Sequence, residues 1–422
     1  MLLTVENVAA VKYAEFTIDG ITIVCGKNNT GKSTISRSLW SLLSGLWQRE
    51  KQVDDARVEY IRNTLSSPGL SHFRNRNKSK KALEIPEMLL ESIDRASCDK
   101  GFVKDAVLTA MGVDSARCDM DAAQSVDLVT NDIMRCLNLP SDAIEMRLLS
   151  ERFYSEFHGQ INSTSNRETA RVSLTISGKT SSVSIERNRV VSCDLLHNLN
   201  GSVMYLDDPI TLSCLPFMSD DTDFALHQVE MSDAIRFAGY AGDDVVGSII
   251  DDEKLSEIFT HLNEVTDGSL TPDGPMGMFY HEERKEPLDI RNLSAGLRPF
   301  AIIKALLLNR KIGRYSTLVL DEPEIHLHPE WQLQFAQIIV LLQKYYDMHI
   351  LINTHSPYFV HAIEVYAAFY EVADRCHYYL TNRDSEGCFA NDVTNNIDEA
   401  YVTMAVPFIM LDELQHGKAS HE

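Results

Sequence analysis

Apolar and polar residues alternate at the start of the chain, and this alternation predicts three short strands. The predicted strands are Leu2–Val5, Ala10–Ile18 and Ile21–Cys25. A period of two is typical of strands that bury one face. From about Gly31 to Leu46 the apolar residues recur at helical spacing instead, so a helix is predicted there.

A long region from residue 47 to residue 155 has irregular helical spacing. We interpret it as a helical insertion into one discontinuous domain, formed by residues 1–46 and 156–422. A basic run, Phe73–Lys81, lies inside the insertion. It is either a solvated loop or a contact for phosphate or for a partner.

Strand and helix patterns alternate in the second half of the chain. Ala170–Ser177 and Ser181–Arg187 are predicted to form a hairpin. The later predicted elements are strand Val203–Leu206, helix Ala295–Asn309, strand Thr317–Leu320, helix Pro329–Tyr346, strand Ile350–Asn353, helix Pro357–Val372, strand Cys376–Thr381 and a last helix, Ile397–Leu414, that Pro407 interrupts. Strand–helix–strand order implies a parallel sheet with helices on both faces. The sequence therefore predicts an α/β fold with an N-terminal antiparallel β subdomain, a parallel core sheet and a helical insertion.

Composition and charge exclude several classes of protein. Among 422 residues, 61 Asp and Glu outnumber 39 Lys and Arg, and the formal net charge is −22. A nonspecific nucleic-acid coat or a membrane-surface protein needs a basic face. No stretch reaches the roughly 18 apolar residues that span a bilayer, and the N-terminus lacks the layout of a signal peptide. The missing apolar span predicts no membrane partner. Because the cysteines form no C-x-x-C pair, we expect a cytoplasmic protein with reduced thiols.

A phosphate-binding loop is predicted between the third strand and the first helix. The segment from Gly26 to Ser33 fits the pattern G-x-x-x-x-G-K-[ST]. Its glycines let backbone N–H groups face a phosphate chain, Lys32 would reach the β- and γ-phosphates, and the Ser33 hydroxyl would ligate Mg²⁺. The predicted nucleotide-binding residues of this segment are Gly26, Asn28, Asn29, Thr30, Gly31, Lys32, Ser33 and Thr34.

Two carboxylates and a histidine follow predicted strands of the parallel sheet. Asp321 ends one strand and is placed to hold Mg²⁺, directly or through water, while Glu322 can orient or deprotonate an attacking water. His355 follows another strand, so it points into the same crevice. It would contact the γ-phosphate or sense its loss; the alternative is that it only caps the next helix.

A second phosphate-binding helix start is predicted at Ser294 and Gly296, just before an apolar helix. Since the loop ending at Ser33 already serves one nucleotide, this second start suggests a nucleotide held by another subunit. The alternative is an ordinary serine at a helix N-cap.

These four elements, in this order, resemble the ATPase head of the ABC type. The resemblance is to the branch shared by SMC-like repair ATPases and the OLD (overcoming lysogenisation defect) family. Ser294–Arg298, Asp321–Pro329 and Thr354–Pro357 look much like the OLD-type ATPases of bacteria. The resemblance covers residues 1–46 and about 276–381.

The resemblance implies a head-to-tail homodimer, or a higher homo-oligomer, that closes over two ATP molecules with Mg²⁺. Lys32 and the other residues of one subunit's site would then face Ser294 and Gly296 of the other subunit. The family also has a glutamine that links Mg²⁺ to its helical part, and Gln160 is the candidate here.

Two departures from the resemblance bear on function. The insertion lacks the sustained heptads of an SMC-like coiled coil, and the chain after His355 is too short for the Toprim domain of OLD nucleases. We therefore expect control of a separate effector, a nuclease or toxin, as in the ATPase subunits of anti-phage systems of the Septu, PARIS and retron types. The alternatives are a DNA-repair or DNA-maintenance clamp that binds nucleic acid, and an ATP-held scaffold that does not hydrolyse ATP.

Overall fold

The computed structural model describes residues 1–66, 84–90, 99–111, 120–163, 168–207, 224–236, 245–273 and 277–419. The basic run Phe73–Lys81 lies outside these residues. The chain divides into two compact units, one formed by Met1–Trp47 with Leu149–Glu422 and the other by Gln48–Leu148. Among the described helices, none combines the length and the apolar character that crossing a bilayer requires.

A large mixed sheet forms the base of the first unit. Its eleven described strands are β1 (Leu2–Val8), β2 (Val11–Thr17), β3 (Ile21–Gly26), β4 (Ala170–Ile176), β5 (Lys179–Glu186), β6 (Arg189–Asp194), β7 (Val203–Leu206), β11 (Thr317–Asp321), β12 (His349–Thr354), β13 (Cys376–Arg383) and β14 (Cys388–Asp392). Their order across the sheet is β6-β5-β4-β1-β2-β14-β13-β3-β12-β11-β7. Strands β8 (Ser269–Asp273), β9 (Gly277–His281) and β10 (Leu288–Asp289) form a separate small sheet.

The large sheet has a parallel part and an antiparallel part. Strands β13, β3, β12, β11 and β7 are parallel neighbours, whereas β1, β2, β4, β5 and β6 pair antiparallel. The predicted α/β fold is therefore confirmed. Two strands of this sheet, β6 and β14, were not predicted. Strand β14 joins the two parts, because it pairs antiparallel with β13 and parallel with β2.

The helices include every one for which the apolar spacing predicted bounds, together with others that it did not delimit. Those used below are α1 (Lys32–Leu46), α2 (Arg49–Leu65), α3 (Lys100–Met111), α4 (Met120–Leu137), α5 (Ser141–Glu156), α6 (Leu226–Arg236), α7 (Val245–Val265), α8 (Arg298–Leu308), α9 (Pro329–Tyr346), α10 (Pro357–Phe369) and α11 (Asp398–Ala419). Several predicted bounds were wrong: α8 begins at Arg298 rather than Ala295, α10 ends at Phe369 rather than Val372, and α11 continues through Pro407 to Ala419. A single 3-10 turn at Ala295–Leu297 precedes α8, which has its proline in the first turn, where proline removes no helical hydrogen bond.

The parallel strands are buried on both faces. Buried side chains of β3, β11 and β12 form one cluster with α8, α9 and α10. This cluster includes Leu318 and Leu320, and the intervening Val319 is buried as well. Since successive side chains of a strand point to opposite faces, both faces are covered, and α1 also contacts β3, β7, β11 and β12. Burial on both faces explains the uninterrupted aliphatic runs of these strands.

The second unit is helical and has its own apolar core. It contains α2, a short helix at residues 84–90, α3, α4 and the first half of α5. Ile61, Leu89, Val107, Val126 and Ile133 are fully buried in this core.

Gly20 in the turn between β2 and β3 gives a test of this topology. Its φ is +67°, and a Cβ there would lie 2.3 Å from the carbonyl oxygen of Arg375. We expect Gly20→Ala to lower the thermal midpoint markedly, because a backbone clash adds to about 1–2 kcal/mol for the left-handed conformation.

Gly178→Ala is the matched control for this test. Gly178 also has a positive φ, +79°, but a Cβ there would meet nothing within 4 Å. The control keeps the conformational cost and lacks the clash. Equal losses of thermal stability in the two variants, measured by circular dichroism, would contradict the close approach of Gly20 to Arg375.

Candidate nucleotide-binding site

The candidate site lies where three parallel strands end at the same edge of the sheet. β3 ends at Gly26, β11 at Asp321 and β12 at Thr354. Asn353 of β12 pairs with Asp321 on one side, and Thr354 pairs with Cys25 of β3 on the other. Ligands of open α/β sheets bind at this carboxyl edge, so the pairing gathers the residues that the sequence predicted separately.

The phosphate-binding loop has the backbone that its glycines allow. Gly26 has a φ of +151° and Gly31 a φ of +90°, values that side chains with a Cβ rarely adopt. A Cβ at Gly26 would also lie 2.2 Å from the Oγ1 of Thr381 on β13. The loop is fastened to β13, since the hydroxyls of Thr30 and Thr381 lie 2.6 Å apart.

Lys32 is folded over the loop at the start of α1. Its Nζ donates to the carbonyl oxygens of Gly26, at 3.0 Å, and Lys27, at 2.9 Å. The side chain is buried, and burial lowers the pKa of Lys32, although the carboxylates of Glu322 and Asp321 oppose this change. A phosphate chain in the loop would give this buried cation an anionic partner.

A pocket of about 310 Å³ opens between the loop and Glu322. Its lining includes Ala10 and Glu322 together with the predicted loop residues Asn28, Asn29, Gly31, Lys32, Ser33 and Thr34. Gly26 and Thr30 do not line it and instead shape the loop. Backbone N–H groups, the N-terminus of α1 and a lysine at one pocket suit a phosphate chain.

Asp321 is buried beneath this pocket and held by neutral donors. Asn353 Nδ2 donates to its Oδ1 at 2.9 Å, and Tyr205 donates its hydroxyl to Oδ2 at 3.2 Å. The Ser33 hydroxyl is near enough to lower the pKa of the carboxyl group. Burial raises the pKa of Asp321, and these hydrogen bonds oppose the shift. The adjacent hydroxyl and carboxylate are hard oxygen donors, a set that fits Mg²⁺ with water completing the shell.

Glu322 and His355 are brought together at the mouth of the site. The Oε1 of Glu322 and the Nδ1 of His355 lie 3.0 Å apart, and both side chains are partly exposed. Glu322 has a φ of +51°, and its backbone N–H donates to the carbonyl oxygen of Asn353 at 2.9 Å. Such a conformation is costly away from glycine and is found most often at functional sites. His355 does not cap the next helix; the hydroxyl of Ser356 does, by accepting from the N–H of Phe359.

Glu324, which the sequence analysis did not select, supports His355 from below. It is buried, and its Oε1 accepts hydrogen bonds from the hydroxyl of Thr354 and from the backbone N–H of His355. Burial raises the pKa of Glu324. The short motif Asp-Glu-Pro-Glu contained a signal for this residue, since a third polar position so soon after a buried strand needs a partner.

A buried charge cluster behind the site was also missed. His227, at the start of α6, lies 2.6 Å from the Oε2 of Glu156 and 3.1 Å from the Oδ2 of Asp207. Its ring stacks on Tyr205 with centroids 4.2 Å apart. Burial alone lowers the pKa of His227, but the two carboxylates outweigh it and raise the pKa to about 9. Nothing in the local sequence links residues so far apart in the chain.

The structure keeps three predicted residues apart from this pocket. Ser294 is exposed and makes no capping hydrogen bond, so the N-cap alternative has no support. Gly296 is buried, and a Cβ there would lie 2.9 Å from the ring of Trp331. Gln160 lines a neighbouring pocket with Arg383 that shares only Ala10 with the first. Its proposed link to Mg²⁺ stays a prediction.

Residues 155–361, just under half of the chain, match a family model described as "AAA domain, putative AbiEii toxin, Type IV TA system". The match includes Asp321, Glu322 and His355, whereas the phosphate-binding loop precedes it in the chain. No curated protein matches the chain.

Solved structures of SMC heads are also similar. One is the SMC head domain from Thermotoga maritima, with 9% identity, a TM-score of 0.37, and coverage of 93% of this chain and 98% of that one. Another is an SmcHead bound to the C-winged helix domain of ScpA, with 13% identity, a TM-score of 0.36, and coverage of 93% and 96%. The family match and the loop geometry together support a nucleotide-binding domain of the P-loop, AAA/ABC type.

The raised pKa of His227 predicts how stability depends on pH. The folded-state pKa, about 9, exceeds the ordinary value of 6.5. The charged histidine therefore stabilises the fold fully below pH 6.5, and this contribution is lost as the pH rises through about 9. We expect the thermal midpoint to fall across that range.

The variant His227→Gln is the comparison, because glutamine cannot titrate. It should have a lower midpoint at pH 7, since Glu156 loses its cation, and a flatter dependence on pH. Parallel curves for the two proteins between pH 6.5 and 9.5 would show that His227 is not charged in the folded state.

Proposed function

We propose that the chain binds ATP with Mg²⁺ and hydrolyses it in a dimer that closes over the nucleotides, and that this cycle controls a separate effector protein, a nuclease or toxin, in anti-phage defence. The observation that carries the proposal is the single pocket lined by Lys32, Ser33 and Glu322, with the buried carboxylate of Asp321 beneath it.

The pocket supports hydrolysis as well as binding. Lys32 and the loop N–H groups would hold the phosphates, and Ser33 and Asp321 would hold Mg²⁺, which supplies charge neutralisation at the phosphates when bound. Glu322, at the pocket wall and paired with His355, is placed to accept a proton from a water molecule that attacks the terminal phosphate. A non-hydrolysing scaffold would have no need for this carboxylate.

The position of Ser294 is evidence in favour of the proposed dimer. Its segment is held firmly, because the buried guanidinium of Arg298 donates to the carbonyl oxygens of Leu293 and Arg291. Yet the serine is exposed and does not line the pocket of its own chain. An exposed serine on a turn that is held in place suits a phosphate presented by a second copy.

Control of an effector is the part of the proposal that draws least on the residues of the site. Its support is the family description, which names a putative toxin of a type IV TA system, together with the resemblance to ATPase subunits of defence systems. Fold resemblance alone does not establish a partner, so the nucleotide cycle is tested first.

Glu322→Gln tests the hydrolytic part of the proposal. The amide keeps the shape of the side chain but cannot accept the proton, so we expect a fall in ATP turnover of at least 100-fold, in line with typical general-base contributions. ATP binding should persist, and the dimer should accumulate with ATP and Mg²⁺ in light-scattering chromatography.

Glu330→Gln is the matched control, since Glu330 is exposed in the first turn of α9. It should hydrolyse ATP as the wild type does, and Lys32→Ala should lose most ATP binding. Wild-type turnover in Glu322→Gln would remove Glu322 from the mechanism, and no turnover in any protein would favour the scaffold.

Ser294→Arg tests the dimer. A long cation at an exposed turn should block the approach of a second copy but leave each chain able to bind ATP. We therefore expect a monomer in the presence of ATP and Mg²⁺, nearly unchanged ATP affinity by calorimetry, and loss of turnover.

Ser192→Arg, at an exposed position of the edge strand β6, provides the same change away from the proposed contact and should dimerise normally. Loss of ATP binding by Ser294→Arg would instead place Ser294 in the site of its own subunit.

A further inference from the structure

Tyr205 contacts the candidate site from a strand that carries no recognisable motif. It lies on β7, the edge strand next to β11, and is almost fully buried. Its hydroxyl donates to the Oδ2 of Asp321 at 3.2 Å, while Asn353 donates to the other oxygen, Oδ1, at 2.9 Å. The two donors hold the carboxylate from both sides, which fixes the plane in which its oxygens face Ser33.

The ring of Tyr205 is itself held in place. It stacks on the imidazole of His227, and His227 is anchored by the carboxylates of Glu156 and Asp207. Glu156 Oε1 also accepts from the backbone N–H of His227 at 3.1 Å. These contacts hold the first turn of α6 behind the tyrosine.

Packing alone does not require the hydroxyl at this position. A phenylalanine would fill the same space and keep the stacking on His227. The polar atom has a specific partner in Asp321, and partners that orient a metal-binding carboxylate typically change metal affinity by 10–100-fold when removed.

We propose that Tyr205 is a positioning residue that sets the orientation of Asp321 for the divalent cation, with His227, Glu156 and Asp207 as its rigid support. The proposal rests on the proposed function, because it takes Asp321 to be a ligand of the nucleotide-bound metal. Tyr205 acts through Asp321 and has no contact with the nucleotide pocket.

The test is Tyr205→Phe, with Mn²⁺ as the probe for the metal. Binding of Mn²⁺ in the presence of a non-hydrolysable ATP analogue is followed by electron paramagnetic resonance, and binding of the analogue without metal is followed by calorimetry. We expect Mn²⁺ affinity to fall about 10-fold, while metal-free binding of the analogue stays at the wild-type value. The Mg²⁺ concentration for half-maximal turnover should rise, with little change in turnover at saturating Mg²⁺.

Two variants separate this effect from a general loss of stability. Tyr280→Phe removes another buried hydroxyl, which bonds to Thr266 and Gly268 beside the small sheet; it should lose thermal stability without any change in Mn²⁺ affinity. Asp321→Asn should weaken Mn²⁺ strongly, and adding Tyr205→Phe to it should have no further effect. If Tyr205→Phe does not fold, His227→Gln should produce a smaller loss of Mn²⁺ affinity in the same direction.

The outcomes distinguish the inference from the function on which it rests. Wild-type protein that binds no Mn²⁺ with the analogue, or Asp321→Asn that binds it normally, would overturn the proposed metal site itself. If both behave as expected but Tyr205→Phe binds Mn²⁺ like the wild type, the positioning role is wrong. Additive losses in the double variant would also contradict it.

Discussion

The pairing of β12 between β3 and β11 is the constraint on which the candidate site depends. Parallel strands end at the same edge, so the phosphate-binding loop after β3 and Asp321 at the end of β11 are brought together by a strand that carries neither. The amide of Asn353 on β12 completes this arrangement, because it donates both to Ser36 of α1 and to Asp321. One buried amide thus ties the helix that follows the loop to the carboxylate beneath it. A shift of β12 by one residue would turn Asn353 to the other face and break both contacts.

Several buried ionisable groups at this edge of the sheet lack a partner of opposite charge among the residues that the structure describes. Burial disfavours the charged forms of Lys32, Asp321 and Glu324 and moves each pKa toward neutrality. Lys32 is satisfied by two carbonyl oxygens, which are weaker partners for an ammonium group than an anion. A triphosphate with its cation would supply the missing negative charge to Lys32 and the missing positive charge to Asp321. Folding has thus already removed these groups from water. A bound nucleotide with its cation would gain the favourable interactions with them without a further desolvation cost for these side chains.

The parts of the site that sequence could predict are those written in contiguous residues. The loop from Gly26 to Ser33 needs glycines at fixed positions, and Asp321 follows a buried strand directly, so both patterns are local. Tyr205 could not be predicted, because in the sequence it is only one residue with a hydroxyl in the apolar strand Val203–Leu206. The hydrogen-bond partner of that hydroxyl, Asp321, is 116 positions away. His227 was hidden for the same reason, because a buried histidine is recognised by its neighbours in space. Strand β14 was missed because it is short, partly exposed and follows a loop of polar residues.

The acidic balance of the chain bears on how two copies could close over nucleotide. Each copy carries a formal charge of −22, yet exposed charges farther apart than about 8 Å are largely screened at physiological ionic strength, so the contacts at the closing surfaces decide the outcome. In the proposed dimer, the exposed Ser294 would meet a phosphate of the partner's nucleotide, and charge-assisted hydrogen bonds of this kind are among the stronger polar contacts. Removing the terminal phosphate would remove that contact while the repulsion remains. In the proposed dimer, loss of the terminal phosphate would therefore weaken the contact that holds the two copies together.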